Sequence, residues 1–178
     1  MSALADPPAT GLTMQSPALQ SPSALIGDQP GPVRSVTIEV LGMPSWKRPW
    51  FVQYVEAELN ALCALPERWD GHHAQPISVS AIEGTIQVLG ALMDRSSPPP
   101  QLFPLPDGGV QAEWHIDGNK IEIEVEGNGD AYLLADRCDG SVVAEGTAAR
   151  DDPDGALAAA RDFLRELAFR LARVPAGV

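Results

Sequence analysis

The side chains able to hold a metal or move a proton gather at two places in this sequence. Asp70, His72 and His73 lie in one short segment, and Glu113 and His115 lie in another. Zinc and similar ions need three or four N, S or O donors converging near a tetrahedron. Asp70, His72 and His115 have suitable ligand types, and an ion held among them would activate water, as in a small metal-dependent hydrolase. Their spacing argues the other way. Adjacent histidines tend to point apart, and the chain has no His-x-x-x-His or Cys-x-x-Cys pattern. The plainer reading is a surface turn carrying two imidazoles, with no metal and no cofactor.

Nucleophilic chemistry has less support. No Gly-x-Ser-x-Gly elbow is present. Cys63 falls within an apolar helical pattern, where it acts as a small core residue. Cys138 stands between Asp136 and Asp139, and nearby carboxylates raise a thiol's pKa, the reverse of activation. Gly127-Asn128-Gly129-Asp130 has no basic residue and sits between two alternating segments. It reads as a hairpin turn rather than a phosphate loop.

Two features suit recognition instead. Trp46-Lys47-Arg48-Pro49-Trp50 interleaves aromatic and basic residues, a combination that stacks on bases or on a partner's prolines. It equally suits the start of a helix, with the indoles over the core edge and the charges in water. Glu113, Glu122, Glu124 and Glu126 fall on the outward side of two neighbouring strand patterns. Like charges across strands repel. A face that keeps four carboxylates therefore suits a basic partner, or serves solubility alone.

Elements must position these residues. Residues 1–33 hold six prolines and no Lys, Arg or aromatic residue, a composition that reads as a disordered tail. The following 34–174 read as a single domain, with 175–178 as a short tail. Ser35 to Val40 alternates and is β-branched, which predicts a strand. Phe51, Val55, Leu59 and Leu62 predict a helix over about 49–64, with Pro49 in its first turn. Ile82, Ile86, Leu89 and Met93 predict a second. Either Ser78 or Ser80 caps it, and Ser80 with Glu83 fits a capping box. From 101 to 146 the period changes to two, with Asp-Gly and Asn-Gly turns between the segments. Val110, Ala112, Trp114 and Ile116 share one face, as do Ile121, Ile123 and Val125, and Tyr132 and Leu134 extend the apolar pattern. A last helix, capped by Asp152 with Pro153 following, carries Leu157, Ala160, Leu164, Leu167, Ala168 and Leu171 on one side. The sum is an α+β fold: an antiparallel β-meander with about three helices on one face.

The bulk numbers narrow the function classes. The chain has 178 residues, 44% of them apolar, and a formal net charge of -12. Residues 101–154 alone hold thirteen acids and three bases, so the acidity belongs to the sheet and its turns. Nucleic-acid phosphates need Lys and Arg, which excludes that class. No apolar run approaches the roughly 18 residues of a membrane span. The first nine residues lack the regions of a secretory signal. Two cysteines make no disulfide framework. A cytoplasmic location is expected.

The segment Leu59, Leu62, Leu65-Pro66, Trp69-Asp70-Gly71, Ala74, Pro76-Ile77-Ser78 resembles small bacterial proteins of unknown function. In them a Leu-rich helix runs into Trp-Asp-Gly-x-Gly-Ala-x-Pro-Ile before a second helix. Pro104-x-Pro106-Asp107-Gly108-Gly109-Val110-x-x-Glu113-Trp114 resembles that family's next block, a hairpin leading into a strand. The likeness covers about residues 55 to 126. It implies the element order already read, and a bacterial accessory protein acting beside a neighbouring gene's product, with no activity to carry over. His73 replaces the family's second turn glycine and would be strained at positive φ. From its residues, Trp69-Asp70-Gly71 reads as a structural turn: the indole in the helix–sheet seam, the carboxylate accepting backbone N–H groups, Gly71 reversing the chain.

The leading expectation is a non-enzymatic module that binds a protein partner. Its expected surfaces are the acidic face of Glu113, Glu122, Glu124 and Glu126 and the segment Trp46, Lys47, Arg48. The alternatives are the hydrolase of Asp70, His72 and His115, and a structural component of a particle.

Overall fold

The computed structural model of the protein describes residues 23–25, 35–39, 49–148 and 155–173. The elements run β1 (Ser23–Leu25), β2 (Thr37–Glu39), α1 (Trp50–Cys63), α2 (Val79–Leu92), β3 (Gln101–Pro104), β4 (Val110–Ile116), β5 (Asn119–Val125), β6 (Ala131–Asp136), β7 (Val142–Thr147) and α3 (Ala156–Arg173). Strands β3 to β7 form one antiparallel meander, each strand beside its neighbour in sequence. The helices cover one face: α1 against β3, α2 against β4 to β6, and α3 against β6 and β7. This is the α+β architecture expected from the alternating pattern. Among the described residues no helix is long and apolar enough to cross a membrane.

The expected tail of residues 1–33 lies outside the described residues except at Ser23–Leu25. Those three pair antiparallel with β2 as a two-stranded ribbon. The other side of β2 is satisfied by helix side chains. Val36 N–H donates to Asn60 Oδ1 at 2.8 Å, Asn60 Nδ2 donates back to Val36 O at 2.8 Å, and Ile38 N–H donates to Glu56 Oε2 at 2.9 Å. An asparagine amide thus plays a strand's part, offering one donor and one acceptor. Residues 175–178, Asp152 and Pro153 also lie outside the described residues.

Pro49 sits at the N-cap position of α1 rather than in its first turn. Val52 joins Val55, Leu59 and Leu62 in the core, and Phe51 stays half-buried. The middle helix α2 is apolar on several sides because it packs on both the sheet and α3. Its cap is Ser78, whose Oγ accepts from Ala81 N–H at 2.9 Å and donates to Gly127 O at 2.6 Å. The expected Ser80–Glu83 box does not form, since Ser80 is already inside α2 and exposed. The extended chain at Ser78 meets the hairpin behind it, which fixes the helix start two residues earlier.

Two apolar patterns also resolve differently from expectation. In β6, Leu133 and Ala135 are fully buried, while Tyr132 is 46% exposed and Leu134 half-buried. The run Ala131 to Ala135 is apolar throughout, so it has no phase of its own. Pairing with β5 sets it: Ile121 opposes Ala135 and Ile123 opposes Leu133, and a one-residue slip would turn every side chain over. In α3, Phe163 is buried and Leu171 is 41% exposed. The last turn, residues 170–173, is exposed throughout and has outrun the surface that covers the rest.

The loop after α2 is tied to α3 through Asp94. Its Oδ1 accepts from Ser96 Oγ and N–H at 2.6 and 2.8 Å, and its Oδ2 takes Arg165 Nε at 3.2 Å. These bonds, those from Ser96 foremost, hold the carboxyl down at about 2. A depressed pKa contributes stability above the unfolded value, and that contribution fades as pH falls through the folded one. Asp94→Ala is expected to cost about 1 kcal/mol at pH 7, a figure reduced for solvent screening of a partly exposed group. The cost should shrink towards zero between pH 4 and pH 2, as followed by denaturant unfolding of both proteins at each pH. Ser78→Ala is expected to cost about 2 kcal/mol, one part cap and one part lost bond to Gly127. Ser80→Ala should change the same unfolding midpoint little.

Candidate functional site

Helices cover one side of the sheet, and the strand register arranges the other into rows. One row runs Gln101, Glu113, Glu122, Leu134, Glu145 across the five strands. Beside it runs Phe103, Gln111, Glu124, Tyr132, Thr147, and on its other side His115, Lys120, Asp136, Val142. Five carboxylates share this face with one lysine and one histidine. Three large apolar side chains stand out in water there: Phe103 at 42%, Tyr132 at 46% and Val142 at 57% exposure.

The expected face of four exposed glutamates is changed in detail. Glu113 stands directly opposite Glu122, and their side chains are only 19% and 17% exposed. Each carboxylate is answered by its own strand. Glu113 accepts from Gln111 Nε2 at 2.7 Å and contacts His115 Nε2 at 3.0 Å. Glu122 pairs with Lys120, and that hydrogen bond raises the ammonium's pKa. Cross-strand repulsion is thereby offset by partners two residues away on the same face. Glu124 remains exposed. Glu126 lies past the end of β5, in the turn whose backbone bond runs from its N–H to Asp130 O at 2.9 Å. Beyond the strands expected to form it, the face gains Tyr132, whose O–H donates to Glu145 Oε1 at 2.7 Å. That bond pushes the phenol's pKa up. Tyr132 and Leu134 were expected with the apolar pattern and face outward instead, and Asp136, Glu145 and Phe103 join them, because the phase of β6 and the outward side of β3 depend on neighbours.

The metal set does not assemble. Asp70 and His72 belong to a turn that meets the β3–β4 hairpin, through Gln75 N–H to Pro106 O at 2.9 Å. His115 lies five residues along β4 from that end, about 17 Å away by strand rise. It contacts Glu113 instead. Among the described residues no three His, Cys, Asp or Glu side chains come together to hold an ion. Trp46, Lys47 and Arg48 lie outside the described residues. Trp50 is 41% exposed, and its indole N–H donates to Arg95 O at 3.2 Å, pinning the start of α1 to the loop after α2. Cys63 is half-buried, which pushes its thiol's pKa up.

Trp69-Asp70-Gly71 is held as a turn. Asp70 Oδ1 accepts from His72 N–H at 2.8 Å and Ala74 N–H at 3.1 Å, and these bonds lower its pKa. Gly71 has φ +78°, a value that glycine takes freely. His73 does not have positive φ; the left-handed non-glycine residue here is Arg68, at +61°. Trp69 is half-buried, and its indole nitrogen is shielded from water without a hydrogen-bond partner. The indole that fills the core of the sheet is Trp114, 2% exposed, whose N–H donates to Pro98 O at 2.9 Å. The following segment then locks onto two hairpins. Ser78 N–H donates to Gly108 O at 2.9 Å, while Asp107 accepts from Gly109 N–H and Gly127 N–H at 3.0 and 2.8 Å. A Cβ at Gly109 would run into the carbonyl oxygen of Val125.

No protein-family model, no curated protein and no solved structure matches the chain. Among the described residues, the outer sheet face is where large apolar side chains and carboxylates such as Glu124 stand exposed together. Protein purified without a His-tag is expected to carry no stoichiometric zinc, manganese or iron by elemental analysis. One bound ion per chain, lost on His72→Ala, would contradict the separation of Asp70 and His72 from His115.

Proposed function

We propose that the protein is a non-enzymatic binding module whose outer sheet face docks a basic protein partner. The observation that carries this reading is the mixture on one face: Phe103, Tyr132 and Val142 exposed among Glu124, Asp136 and Glu145. Solubility alone calls for charge and not for large apolar groups in water. Apolar groups inside a polar surround are what a protein interface needs for its buried centre. The carboxylates would supply steering and the sign of the partner's charge. The half-buried pairs of Glu113 and Glu122 stiffen the middle of the face, which lowers the ordering cost of association. The resemblance to small bacterial proteins fits a cytoplasmic partner encoded by a neighbouring gene.

Co-purification with the products of adjacent genes, at low salt, tests this directly. A partner is expected to co-elute, to bind at least tenfold more weakly to Tyr132→Ala and to Glu124→Lys, and to weaken as salt rises. Absence of any co-eluting neighbour, or a partner indifferent to both substitutions, would overturn the reading.

A further inference from the structure

The two edges of the five-stranded sheet are built differently. β3 is four residues long, ends at Pro104 and follows Pro98 to Pro100. Helix α1 packs against it, and Tyr54 O–H donates to Pro100 O at 2.7 Å. Short length, proline and a covering element all keep an edge from pairing. β7 has six residues, no proline and no lysine or arginine. Among the described residues β6 is the one strand beside it.

The register says which backbone groups of β7 face away from β6. Ala148 N–H donates to Ala131 O at 2.9 Å, continuing the ladder in which Gly146 faces Leu133 and Ala144 faces Ala135. Antiparallel pairing alternates, so Ala144 and Gly146 turn their N–H and C=O towards β6 and Glu145 and Thr147 turn theirs away. Both of these residues are exposed.

We propose that β7 accepts an added strand from a partner protein, and that this strand alternates basic and apolar residues. Strand addition draws affinity from main-chain bonds and specificity from alternate side chains. One side of the incoming strand would lie beside Glu145, where Lys or Arg fits. Its other side would lie above the start of α3, where Ala156 and Ala159 are only partly buried, so apolar residues fit. The strand comes from another protein. Two copies of β7 paired antiparallel would bring Glu145 close to its twin, and like charges there are destabilising. The chain's own first 33 residues carry six prolines and no lysine or arginine. The inference rests on the proposed function only for the sign of the partner's charge.

The test is an NMR titration of the full chain with an eight-residue peptide of alternating Lys and Val at millimolar concentration. Two N-methylated versions, one on each alternate set of amides, and a Glu/Val counterpart complete it. The Lys/Val peptide is expected to slow amide exchange at Glu145 and Thr147 at least tenfold. Methylation of one set should weaken binding at least tenfold, methylation of the other should not, and the Glu/Val peptide should not bind. Shift changes confined to Gln111 and Glu124 would overturn strand addition and leave face docking standing. Indifference to both methylations, self-association through β7, or no binding of the Lys/Val peptide would also overturn it.

Discussion

Ile121 and Ile123 stand opposite Ala135 and Leu133 across the β5–β6 ladder, and this pairing fixes what is inside the molecule. All four side chains are at most 1% exposed. Sliding β6 by one residue would place Tyr132 and Leu134 under the helices and lift Leu133 into water. The buried face would then receive a phenol whose hydroxyl needs a partner. In the observed register that hydroxyl reaches Glu145 on the open side. The core of all three helices is built on the side this pairing selects, and the open face takes its composition from what the pairing excludes.

A second constraint acts at one end of the sheet. Ser78, Asp107, Gly108 and Gly127 bind one another through main-chain and side-chain hydrogen bonds. They join the start of α2 to two hairpins that are distant in sequence. The Trp69-Asp70-Gly71 turn leads into this junction, and Gln75 attaches it to Pro106. The segments 69–78 and 104–114 thus meet in space, at a place where close backbone approach forbids larger residues at Gly109. Asp70, Ser78, Asp107 and Gly109 are each engaged in the hydrogen bonds or close backbone approach of this junction and the turn leading into it.

The two sides of the sheet divide the labour of the protein. One side is spent on stability: nearly every inward residue of β4 and β5 is buried, and α2 gives up a polar face to lie between the sheet and α3. Among the described residues no element packs on the other side. Its central glutamates are tied to His115, Gln111 and Lys120, while Phe103, Tyr132 and Val142 remain in contact with water. This mixture of paired polar groups and exposed apolar ones is what the proposed docking of a partner rests on.

The order of elements was legible in the sequence because its signals are local. Alternation over Val110 to Ile116 and Ile121 to Val125, the 3.6-residue stripes of the helices, and the Asp-Gly turns each act within a few residues. The same holds for Asp70, whose carboxylate serves its own turn. Other features depend on neighbours from elsewhere in the chain. The run Ala131 to Ala135 is apolar at every position, so only β5 could choose which side chains point inward. Glu113 and Glu122 were readable as outward but not as opposed and half-buried, because register is a property of two strands. Ser78 rather than Ser80 caps α2 because Gly127, 49 residues on, accepts its hydroxyl. His72 and His115 share the chemistry of a metal site, and the length of β4 holds them apart. Local signals account for the three helices, the meander and its turns, but not for β1, which lies in a segment whose composition reads as a tail. Which side chains face inward was settled by packing, because a side chain's environment is set by partners that local periodicity does not contain.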